Sequence, residues 1–112
     1  MTEFVNYLHE VFAEFGPIAT KPMFGGYGVY HNELMIGLVA NDVLYLKADI
    51  ESAPIFEAEG LVRFIYDKKG KPTQMSYYTA PEAIFDDPEQ AKVWATRAYE
   101  AAVRNHKPEK LH

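Results

Sequence analysis

Phe4, Leu8, Val11, Phe12 and Phe15 recur at steps of three and four residues, which puts them on one face of a helix. Thr2 is placed to cap its start, and Gly16-Pro17 to stop it. From residue 23 the period shortens. The stretch 23–31, "MFGGYGVYH", reads as an irregular first strand, and "ELMIGLVA" (33–40) as a nearly continuous apolar second strand. Asn41-Asp42 is a two-residue turn of the kind hairpins use, and "VLYLKA" (43–48) is an alternating third strand. Residues 49–60 read as a short helix, with Ser52 as its cap, Pro54 in its first turn and Gly60 at its end. A second hairpin follows, "LVRFIYD" (61–67) and "PTQMSYYT" (72–79) around the turn "KKGK" (68–71). Asp87, with Pro88 behind it, opens a long helix predicted to reach Lys107. Its stripe of Ala91, Ala95, Ala98 and Ala102 lets it lie close against a sheet.

The order α-βββ-α-ββ-α with short connections predicts an α+β fold. It is a two-layer α/β sandwich, a mostly antiparallel five-stranded sheet with the helices on one face. Residues 1–107 are expected to form a single domain, and 108–112 a flexible tail. The uncovered face then holds alternate residues. Leu44, Leu46 and Ala48 are all apolar and belong in the core, so Val43 and Tyr45 face outward. One of Tyr77 and Tyr78 must do the same. With Tyr27 and Tyr30, whose rings suit a half-wet surface, Val43 and Tyr45 are the candidate partner-binding residues. A two-fold homodimer is the commonest way to cover such a face.

Composition narrows the chemistry. The 112 residues contain no cysteine, which removes disulfides, thiolate metal sites and a cysteine nucleophile. Net charge is −5, against the basic footprint of nucleic-acid binders. No stretch approaches the ~18 apolar residues of a membrane span, and the N-terminus lacks a secretory pattern, so the expected location is the cytoplasm. "GGYG" is followed by Val29, Tyr30 and His31 rather than by the Lys-Ser/Thr of a phosphate loop, and it enters a strand rather than a helix. Its glycines are therefore read as relief for a bent strand. His9, His31, His106 and His112 show no metal-ligand spacing and read as solvent-exposed, and the acidic clusters sit at predicted helix starts. Ser76 lacks a nucleophile elbow. No catalytic, metal or cofactor-binding residue is expected, and the chain reads as a non-enzyme.

Four ordered blocks, "KPMFGGYGVY", "LVANDVLYLKAD", "FIYDKKGKPTQMSYYTAPEAIFDD" and "WATRAYEAA", resemble the N-terminal domain of the TfoX (Sxy) family of bacterial competence regulators. The matching positions are Met23 to Gly28, Leu44 to Lys47, Tyr77 and Pro81. The resemblance implies a two-layer fold akin to secretion-chaperone-like domains, here in stand-alone form, and regulatory work. Full-length members of the family act with the cyclic-AMP receptor protein to switch on DNA-uptake genes. The resemblance brings no catalytic residues. The expected function is thus a regulatory protein-interaction module, acting in transcription. The alternatives are a direct DNA-binding regulator using the tip lysines Lys68, Lys69 and Lys71, and a small-molecule or nucleotide binder at Gly25–Gly28.

Overall fold

The computed structural model describes residues 2–23 and 25–106. Helix α1 (Glu3–Val11) starts where the Thr2 hydroxyl accepts the Val5 N–H at 3.1 Å. It stops at Val11 rather than at Phe15. The Phe12 carbonyl takes the N–H groups of both Phe15 and Gly16, and this tight turn swings Phe15 off the helical line. Six strands follow: β1 (Ala19–Met23), β2 (Gly26–His31), β3 (Leu34–Ala40), β4 (Val43–Lys47), β5 (Arg63–Lys68) and β6 (Lys71–Thr79). All pairings are antiparallel, in the order β1-β2-β3-β4-β6-β5.

The expected five-stranded sheet is therefore a six-stranded one. The segment 23–31, read as one irregular strand, holds the end of β1 at Met23, a turn at Gly25 (φ +77°) and β2, and the added strand β1 begins upstream at Ala19. Residues 19–23 carry no alternating apolar signal because β1 is an edge strand with most of its residues in solvent. The turns β2–β3 and β3–β4 each hold two residues at positive φ, Asn32 and Glu33, then Asn41 and Asp42. That geometry matches the right-handed twist of the strands it joins.

The short helix α2 is confined to Ala53–Ala58. Ser52 makes no side-chain cap on it. Asp49 organises the entry instead, accepting the N–H groups of Glu51 and Ser52 and the Ser52 hydroxyl. A 3-10 turn (Glu82–Phe85) leads to α3 (Pro88–Asn105), where Asp87 accepts the Glu89 N–H. The expected end of this helix at Lys107, and the tail 108–112, lie outside the described residues.

The core lies between the helices and one sheet face. Val5, Leu8 and Phe12 meet Val29, Ile36, Leu44 and Leu46, and the four stripe alanines are buried on α3. Phe56 of α2 packs on Tyr78 and Trp94, with ring centroids 5.3 and 5.0 Å away. The Tyr78 hydroxyl donates to the Glu57 carboxylate at 2.6 Å, and this bond raises the phenol's pKa. His31 is half-buried rather than solvent-exposed. Phe15 and Tyr99 flank its ring at 4.4 and 5.0 Å, and its Nδ1 lies 2.7 Å from the Pro17 carbonyl. A carbonyl only accepts, so that nitrogen carries the proton.

Candidate functional site

Helices cover one side of the sheet only, and strand alternation decides what the other side shows. Tyr45 pairs with Leu38 on one side and with Thr79 on the other, and Lys47 pairs with Tyr77. These side chains therefore share the open face, while Leu46 and its partner Tyr78 share the core. Val43 and Tyr45 do face outward, and Tyr77 is the outward member of its pair.

Met23, Met35, Leu38, Phe64, Met75 and Tyr77 wall a groove of about 440 Å3 on this face. Met23 belongs to one edge strand of the sheet and Phe64 to the other. One groove touches both edges, so the sheet is concave on this side. The floor is nearly dry: Leu38 and Tyr77 are each 7% exposed without any helix above them. Burial, with the nearby Tyr30 phenol adding to it, pushes the Tyr77 pKa up to about 12, so this hydroxyl stays protonated at neutral pH. Two cations flank the groove. The Lys47 ammonium lies 5.1 Å above the Tyr77 ring, and the Lys21 ammonium 4.8 Å above the Tyr30 ring. Each is drawn by the negative face of its ring.

The four residues singled out from sequence divide. Tyr30 and Tyr45 are on the open face, Tyr45 with its ring 4.7 Å from that of Phe64. Val43 is 40% exposed near the end of that face, outside the groove lining. Tyr27 borders the groove but is half-buried and packs on the core, because its partner across β3 is Val39. Three positions separate Tyr27 from Tyr30, so alternation sends them to opposite faces, while the register shift at Val29/Tyr30 leaves Ile36 of β3 as the extra residue.

Sequence reasoning missed Met23, Met35, Met75, Leu38 and Phe64. The available signal was modest: three of the four methionines fall in strands, and Phe64 alternates with Ile65 as Met75 does with Ser76.

The glycines serve packing. A Cβ on Gly26 would collide with the Val39 carbonyl, and one on Gly28 would come within 2.9 Å of the Met23 sulfur and of the Tyr30 ring. Met23 and Tyr30 thus fold over bare backbone at Gly28, where a phosphate would need room. The lysine tip is elsewhere. Lys69 lies in the β5–β6 turn at φ +52° and Lys71 is exposed beside it, while the Lys68 side chain lies outside the described structure.

Among the described residues no three His, Asp or Glu side chains gather as a metal site. Among them, too, no helix is long and apolar enough to cross a membrane. No curated protein matches the chain significantly. The family profile described as the TfoX N-terminal domain matches residues 10–102, and on that match the chain belongs to the TfoX N-terminal domain family.

Proposed function

We propose that this protein is a non-enzymatic regulatory module that works by docking another protein on its concave open face. The groove of methionines and aromatics is the observation that carries the reading. Methionine side chains are flexible and polarisable, so they repack around an incoming surface. Methionine, tyrosine and phenylalanine are also the residue types enriched at protein interfaces. The groove supplies packing surface rather than acid–base groups, since its tyrosine at the floor holds its proton. The cytoplasm is the expected place of action. The transcription machinery, with the cyclic-AMP receptor protein first, is the partner class that family membership favours.

One observation supports a second reading. A volume of about 440 Å3 is within the range of small-ligand pockets, so an apolar small molecule would also fit.

Paired pull-downs test the first reading. Wild type and Leu38→Glu, each shown by circular dichroism to be folded, are presented to the same cytoplasmic extract. Bound proteins are identified and reconstituted from purified components. A reconstituted partner lost with Leu38→Glu supports docking on the groove. Identical protein sets for both baits remove it, and a wild-type melt raised by extracted small molecules alone favours the second reading.

A further inference from the structure

The charge pattern of the open face narrows the occupant, given the docking role proposed above. Across all six strands there is one carboxylate, Asp67 in β5. Phe64 and Tyr66 both border the groove, and Asp67 alternates to the other side of the strand from Tyr66. The open face carries Lys21 and Lys47 instead. Among the described residues neither is ion-paired: the salt bridges there belong to Arg104. The chain as a whole has a net charge of −5, with its carboxylates concentrated in helices and loops. The groove face thus has the opposite sign to the rest of the molecule.

An apolar floor with two cations beside it that form no salt bridge among the described residues, and no strand carboxylate on the same side, selects among partners. A basic segment would meet like charge, whereas an acidic one would meet complementary charge. We propose that the groove takes a short amphipathic acidic segment of a partner protein. Its apolar side chains enter among Met23, Met35 and Met75, and its carboxylates meet Lys21 and Lys47.

Two other occupants fit less well. Single-stranded nucleic acid needs open aromatic faces for stacking. Here the Tyr30 and Tyr77 faces are already taken by lysine ammoniums, and Tyr45 packs against Phe64. A second copy docked face to face would set lysines against lysines over the same small area.

The test is selection from a display library of random peptides of about 15 residues, roughly four helical turns. Wild type is the target, and Lys21→Glu/Lys47→Glu and Leu38→Glu are run in parallel. Lys21 is exposed and Lys47 half-buried, and neither belongs to the core, so the charge-reversed variant keeps the test alive if Leu38→Glu fails to fold. Methyl NMR of the methionines provides the second readout. The expected winners are net acidic, shift the methyl signals of Met23, Met35 and Met75, and bind the charge-reversed variant at least about tenfold more weakly. Groove-dependent winners that are neutral or basic overturn the acidic assignment and leave the docking role standing. An absence of winners that depend on Leu38 or on the lysines overturns both. A thymidine oligonucleotide that shifts the same methyls more strongly than any peptide overturns the proposal in favour of nucleic acid. Light scattering that reports a dimer with those methyls masked overturns it in favour of a second copy.

Discussion

Arg104, in the last turn of α3, donates from Nε and Nη2 to the two carboxylate oxygens of Asp49, at 2.7 and 3.0 Å. Asn105 adds a third bond to the same carboxylate, at 3.1 Å. One side chain therefore shapes the entry to α2 and fastens it to the end of α3. The hydrogen bonds from Arg104, helped by those from Ser52, hold the Asp49 carboxyl well below the usual carboxylate range. An unfolded aspartate titrates near ~3.9. The stabilisation is thus complete above about pH 4 and drains away as the pH falls below it. Asp49→Asn should melt several degrees lower than wild type at pH 7, with the gap closing towards pH ~2. Paired thermal melts across that range check this, and a gap independent of pH would show that the charge is not what matters.

Gly28→Val places a branched side chain where Met23 and Tyr30 already lie. Overpacking of this kind costs about 1–3 kcal/mol, and the valine also pries the tyrosine off the open face. Urea unfolding should show the loss without a change in m. Adding ATP, GTP or NAD should leave the wild-type melt unmoved, and a rise of several degrees with one of them would return the glycine stretch to the phosphate binders.

Glu33 sits at φ +69° in the β2–β3 turn, following Asn32 at +50°. A left-handed conformation costs an L-residue about 1–2 kcal/mol, and glycine loses about 0.5–1 kcal/mol more entropy on folding. The first effect is the larger, so Glu33→Gly should stabilise the protein by about 0.5 kcal/mol. A small upward shift of the urea midpoint is the expected outcome, and a downward shift would point to an unrecognised role for the carboxylate.

The tip lysines should contribute little to DNA binding. Three cations on a chain of net charge −5 neutralise few phosphates. Anisotropy titrations at about 150 mM salt should show no submicromolar binding to duplex DNA, and Lys68→Glu/Lys69→Glu/Lys71→Glu should behave as wild type. Tight binding abolished by that triple change would favour a direct DNA-binding regulator.

The helical half of the molecule was legible because its signals are local. Thr2, Asp87 and the alanine stripe each act within a turn or two of themselves, and all three act in the structure as their positions suggest. The outward direction of Val43 and Tyr45 was legible for the same reason, since β4 alternates without interruption. What escaped depends on distant partners. β1 is a strand only because β2 pairs with it, and nothing in Ala19–Met23 alternates. Alternation separates Tyr27 from Tyr30, but which of the two faces the core is set by the pairing of β2 with β3, where Tyr27 meets Val39. Asp49 displaced Ser52 as the organiser of α2 through Arg104, fifty-five residues away. The groove was hidden most deeply, because its residues come from both edges of the sheet and only its curvature brings them together.

The two rims of that sheet are unlike each other. The β1 rim carries Pro22, which has no N–H to offer, next to charged Lys21; the β5 rim carries Ile65, 54% exposed. A fibre growing by strand addition needs two receptive sides on every subunit, one to accept and one to pass the pattern on. The missing donor at Pro22 and the charge at Lys21 make the β1 rim the poorer template, so an added strand would meet less resistance at the β5 rim.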